Sequence, residues 1–222
     1  MTYTMFDAVG IEHIPNTASL VAGYVNGYWP TYNDLCGKFP LAHHVSIAVQ
    51  AGVVADVLDV ERGDATPENV PLWVKEMRNL KRKPIVYTSR ANVPAVQSEC
   101  AKALVAEPFF WVADWTNHPH LVPGSIGTQW ADGTALYPGL AMYTDTSLIS
   151  PNWPGLGNPA PTPAQLAAAK MVLLPNVAQS KIALDNNHPL YGWNGHAFVL
   201  LPSGEPTGLH EYANIFYEHK RP

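Results

Sequence analysis

The run Val54-Ala55-Asp56-Val57-Leu58-Asp59-Val60-Glu61 ends an apolar, β-branched segment in two carboxylates one residue apart. On a strand, side chains at i and i+2 share a face, so Asp59 and Glu61 stand side by side while Val60 points the other way. Two close carboxylates resist ionising together. One then keeps its proton near neutral pH and serves as a general acid while the other stays negative. A pair of solvated strand-end acids is the plainer alternative, and the elements around the pair must decide between them.

Eight short apolar segments precede residue 150: Thr4 to Val9, Val21 to Val25, His44 to Val49, Val54 to Glu61, Pro84 to Ser89, Phe109 to Trp115, Ile126 to Trp130 and Leu140 to Thr144. Helical stretches separate several of them. Pro67 to Leu80 is the clearest, with Thr66 as N-cap, Pro67 at the first position and Val70, Leu72, Trp73, Met77 and Leu80 at helical spacing. Asn92 to Leu104 is a second. Strands alternating with helices imply parallel pairing through right-handed crossovers, whereas the connections after Trp115 leave little room for helices. The expected fold is α/β, a TIM-like (β/α) barrel with an irregular second half, followed by a small C-terminal extension.

In such a barrel the carboxyl-terminal strand tips and the loops beyond them converge on one face. Asp7 closes the first strand, Asp59 and Glu61 the fourth, and Tyr87 lies in the fifth. Asp114 and Trp115 end the sixth, Gln129 and Trp130 the seventh, and Asp145 follows the eighth. As an ordered set, Asp7, Asp59-Val60-Glu61, Val86-Tyr87-Thr88, Trp111-Val112-Ala113-Asp114-Trp115, Gln129-Trp130 and Thr144-Asp145 resemble the motifs of glycoside hydrolase family 25, the Chalaropsis-type lysozymes. The resemblance covers residues 1 to 150. The second-strand stretch Gly23-Tyr24-Val25-Asn26-Gly27-Tyr28-Trp29 departs from the Lys-x-Thr-Glu-Gly-like sequence usual there.

The resemblance implies a glycosidase acting on peptidoglycan between N-acetylmuramic acid and N-acetylglucosamine. Glu61 is then the proton donor and Asp59 its close partner, orienting a substrate N-acetyl group that acts as nucleophile. Asp7 and Asp145 would stabilise positive charge at the sugar ring, their alternative being strand-end capping. Tyr87, Trp115 and Trp130 are candidate sugar-stacking rings, and Asp114 a further substrate contact. Gln129 is either a donor to the sugar or a satisfied buried amide. Trp111 is expected in the core. A non-catalytic carbohydrate-binding or structural virion protein on the same barrel is the alternative from another class.

With 14% charged residues, 47% hydrophobic residues and a net charge of -5, the chain has the makings of a globular core and no basic face for nucleic acid. No apolar run is long enough to span a membrane. The nine histidines lack ligand spacing, so neither a metal nor another cofactor is expected. Cys36 and Cys100 are expected free and buried. The start lacks a basic and then apolar leader, which fits a phage lysin released by a holin or carried on a virion. The Pro- and Gly-rich run 151–163 is expected as a linker, leaving residues 164–222 as a small segment with a helix at Ala164 to Lys170. Strands are expected there at Phe198 to Leu201 and His210 to Tyr217, with Tyr191, Trp193, His196 and Tyr212 as an aromatic core.

Overall fold

The computed structural model describes residues 2–131, 144–156, 171–174, 190–193, 198–200 and 215–218. Eight strands close into a barrel in chain order: β1 (Tyr3–Ala8), β2 (Leu20–Tyr24), β3 (His43–Ala48), β4 (Val57–Asp59), β5 (Ile85–Ser89), β6 (Phe109–Ala113), β7 (Gly127–Ala131) and β8 (Thr144–Ile149). From β1 to β7 every neighbour is parallel. Strand β8 instead runs antiparallel to both β7 and β1, and closes the ring between them.

That direction corrects the expected eighth strand at Leu140 to Thr144, whose residues before Thr144 lie outside the described set. Asp145 stands near the start of β8, opposite Asp7 in register. Because the strand is reversed, its start lies at the same rim as the carboxyl ends of the parallel strands. The acid reaches the expected face by the opposite route.

Alternation splits the apolar residues between two sides of the barrel wall. Met5, Ala22, Val45, Ile47, Val57, Ile85, Trp111 and Ile149 fill the interior. Leu58, Val60, Val86, Phe110 and Val112 face outward under α2 (Val70–Asn79) and α3 (Val93–Lys102). A further helix, α1 (Tyr32–Lys38), covers β2 with Leu35. Before α2, Pro67–Asn69 forms a 3-10 turn capped by Thr66, whose N–H donates to Asn69 Oδ1 at 2.9 Å. The buried stripe of α2 is Val70, Pro71, Trp73, Val74 and Met77, while Leu72 and Leu80 are exposed. The spacing had placed both inside; the curved wall accepts a narrower stripe.

Barrel packing runs through Leu156. Trp153, in the turns after β8, is buried against Trp111 with ring centroids 5.9 Å apart. Gly127 makes this junction possible, since a Cβ there would lie 2.9 Å from both Ile149 Cδ1 and Trp153 Cζ3. Cys36 is half-buried and Cys100 buried, and both are free thiols.

A second, four-stranded antiparallel sheet has the order β11-β10-β12-β9, from β9 (Met171–Leu174), β10 (Leu190–Trp193), β11 (Phe198–Leu200) and β12 (Ile215–Glu218). Two of these strands fall in the expected Phe198 and His210 stretches. The expected helix at 164–170, and the side chains of Tyr191, Trp193, His196 and Tyr212, lie outside the described residues. Among the described residues no helix is long and apolar enough to cross a membrane.

Candidate active site

Strand β4 delivers its acids as alternation requires. Val57 faces the interior and Leu58 and Val60 face the helices; Asp59 turns inward after Val57, where its carboxyl meets the Tyr24 hydroxyl, and Glu61 follows two residues later, just past the strand. The peptide between the two acids is clamped. Val60 N–H donates to Tyr87 O at 2.9 Å, while its carbonyl accepts from Thr88 Oγ1 at 2.7 Å and Asn92 Nδ2 at 3.3 Å. Beyond Glu61 the chain turns back through Gly63, whose φ of 105° favours glycine, and Asp64 N–H closes the turn on Glu61 O at 3.1 Å. Asp64 is thereby held near the pair.

Asp59 is 2% exposed. Its Oδ2 accepts from the Tyr24 hydroxyl at 3.2 Å, and its Oδ1 is buried without a partner. Burial, then the charges of Glu61 and Asp64, push its carboxyl up to about 8 against a smaller lowering by Tyr24. Glu61 is half-buried and also raised, by burial and by Asp64. It lies on the wall of a cavity of about 570 Å³ that Val60, Arg62, Ser89, Ala91 and Asn92 complete. Of the four acids at the mouth, Glu61 alone lines this cavity.

Across the barrel, Asp7 and Asp145 form a second pair bridged by one amide. Gln129 Nε2 donates to Asp7 Oδ2 at 3.2 Å and to Asp145 Oδ2 at 3.1 Å. The other end of the amide accepts from the Tyr87 hydroxyl and from Trp115 Nε1, both at 2.7 Å. An indole N–H can only donate, so the amide orientation is dictated: oxygen toward the ring, nitrogen toward the acids. Burial first, then the charge of Asp145, push Asp7 well above the ordinary carboxylate range, with Gln129 opposing. Asp7 Oδ1 is a further buried oxygen without a partner.

Several expected contacts occupy other positions. Tyr87 packs its ring on Trp111 at 4.6 Å and commits its hydroxyl to Gln129, so it supports the site from within. Gln129 is the satisfied amide, its hydrogen bonds spent inside the protein. Asp114 alternates to the opposite side from Trp115 and is held by Arg90 Nη1 at 3.1 Å and His120 Nε2 at 3.0 Å. Those partners, His120 foremost, keep its carboxyl below the ordinary range.

Trp130, at a β-bulge between Gln129 and Ala131, is 5% exposed and offers no open face. Trp115 is 59% exposed, with its nitrogen anchored on Gln129, and is the most exposed of the three expected stacking rings. Trp111 is buried, as its alternation implied, with Nε1 donating to Ser147 Oγ at 3.0 Å.

Tyr24 is the residue that sequence reasoning missed. Its signal was present: Leu20, Ala22 and Tyr24 alternate inward on β2, and a tyrosine at the mouth end of that series must place its hydroxyl among whatever polar groups ring the opening. Among the described residues, no three His, Cys, Asp or Glu side chains converge in a metal-binding arrangement.

No family model matches the chain, and a comparison with curated proteins finds no match. Two solved structures are similar. One is the virulence factor GHIP, a glycosyl hydrolase 25 of Streptococcus pneumoniae participating in host cell invasion, at 15% identity and TM-score 0.49, over 67% of this chain and 87% of that one. The other is the Clostridium perfringens spore cortex lytic enzyme SleM, at 11% identity and TM-score 0.47, over 67% of each chain.

Proposed function

We propose that the barrel mouth hydrolyses glycosidic bonds in a bacterial cell-wall glycan, with Glu61 as the proton donor. The carrying observation is the Asp59–Glu61 pair: two acids on one strand end, raised by burial and by neighbouring carboxylates, with Glu61 on a cavity wall. Elevated carboxyls of this kind supply a general acid at neutral pH.

Asp59 and Glu61 between them hold one proton for the step. A sugar bound over the pair offers its acetamide N–H to Asp59, which stabilises the Asp59 anion and favours the proton on Glu61. The acetamide oxygen then attacks the anomeric carbon as the bond to the leaving oxygen breaks and Glu61 protonates that oxygen. Water opens the resulting ring with Glu61 as base, and configuration at the anomeric carbon is retained. Asp145 and, once it gives up its proton, Asp7 face the positive charge that develops at the sugar, held in place by Gln129. Trp115 supplies an apolar face for one sugar ring. No cofactor takes part.

The working place of such an enzyme is the bacterial wall, reached as a phage lysin or as part of a virion. Purified cell walls in a turbidity assay test the proposal. The native chain clears them, and Glu61→Gln loses roughly 100-fold or more of the rate while still sedimenting with walls. Sedimentation without clearing by the native chain overturns the enzymatic reading in favour of a binding protein.

A further inference from the structure

The loop between β2 and α1 exposes two adjacent aromatic rings, Tyr28 at 96% and Trp29 at 62%. Nothing in the proposed chemistry uses them. The loop that carries them is built rather than slack. Asn26 Oδ1 accepts Val49 N–H at 3.0 Å and Asn26 Nδ2 donates to Gln50 Oε1 at 3.4 Å. Gly27 takes a φ of 91°, and a Cβ there would lie 3.0 Å from Val49 Cγ2. At the base of the loop, Tyr24 N–H donates to Thr31 Oγ1 at 3.3 Å. Two large rings on a pinned loop stay in water at a cost that burial against a ligand recovers.

Their place in the ring gives the occupant. In a closed barrel of eight strands in chain order, β2 and β6 stand diametrically opposed. The β6 side carries Trp115, the exposed ring anchored to Gln129. The Asp7–Asp145 pair sits on β1 and β8, along one arc between them, and Asp59 with Glu61 sits at β4 on the other arc. A line from the Tyr28–Trp29 loop to Trp115 therefore crosses the mouth between the two acid pairs. Tyr28 is four residues past Tyr24, so it stands within about 14 Å of the residue that bonds Asp59. A linear ligand whose successive units each present an apolar face fits that line, and a β-linked amino-sugar chain has this character.

We infer that Tyr28 and Trp29 form a distal sugar platform, so that the site holds an extended amino-sugar chain running across the mouth from the β2 loop to Trp115. The inference rests on the glycan reading of the mouth and adds to it the length and course of the substrate.

The test uses the full chain carrying Glu61→Gln, which keeps bound sugars intact, titrated with N-acetylglucosamine oligomers of two, four and six units. Affinity rises with length, and Trp29→Ala weakens the hexamer roughly five- to ten-fold while leaving the dimer unchanged. Tyr28→Ala acts in the same direction. Both side chains are exposed, so an unchanged melting temperature accompanies the loss. Hexamer binding that is indifferent to both substitutions, or a loss equal for dimer and hexamer, overturns the platform alone. No binding of any oligomer overturns both the platform and the glycan reading. Capture of wall-free protein that depends on Trp29, with oligomers indifferent to it, assigns the surface to a protein partner and also overturns the platform.

Discussion

Asp56, just before β4, and Asp59, its last residue, stand three residues apart, and their surroundings are opposite. Asp56 is satisfied: Oδ2 accepts from Ser46 N at 3.0 Å and Ser46 Oγ at 2.6 Å, and Oδ1 accepts from Arg82 Nη1 at 3.0 Å. Asp59 has one long hydrogen bond from a tyrosine, one orphaned oxygen, and carboxylates as charged neighbours. One acid fastens the closed end of the barrel. The other is kept short of partners at the mouth, and a group kept so will bind whatever brings it a donor.

The largest expected break in this contrast comes from Asp59→Asn. Folding raises the Asp59 carboxyl from its usual 3.8 to about 8, so between those values the unfolded chain has lost a proton that the folded chain keeps. Stability then falls as pH rises through that window. Denaturant titrations at pH 4 and pH 8 will show the slope in the native chain and a shallower one in Asp59→Asn, the remainder coming from Asp7 and Glu61, whose carboxyls are also raised. The variant gains on the order of 4 kcal/mol at pH 8 and loses wall-clearing activity.

Asp56→Ala sharpens the same comparison from the other side. It leaves the mostly buried Arg82 and Ser46 without their acceptor and lowers stability by about 2 kcal/mol. Thermal melts of the variant beside the native chain will report the loss. The smallest effect is expected of Trp115→Phe, which keeps a ring at the rim but removes the donor to Gln129. A rise in KM of roughly three- to ten-fold with kcat nearly unchanged, measured by reducing-end release, will mark lost sugar positioning.

The strand ends were legible because period-2 alternation is local: Asp7, Asp59 and Glu61 could be placed on one face from their neighbours alone. The direction of β8 was not, since it depends on pairing with β1, more than a hundred residues away, and the apolar residues before Thr144 looked as strand-like as those after it. Asp114 illustrates a second limit. Its strand-end position was read correctly, yet the side that it faces is decided by Arg90 and His120, which approach from other segments. Gln129 was one of two open alternatives in the sequence. The structure resolves them through Trp115, whose indole nitrogen can only donate and so fixes the amide.

The ladder between β1 and β8 is where the cylinder is sewn shut, and Asp7 and Asp145 are opposed within it. Closure and chemistry thus share one seam. Raising the pH until Asp7 gives up its proton sets its charge against that of Asp145 across the same hydrogen bonds that complete the ring, so backbone amides of Tyr3 to Ala8 would be the first of the barrel strands to exchange with solvent.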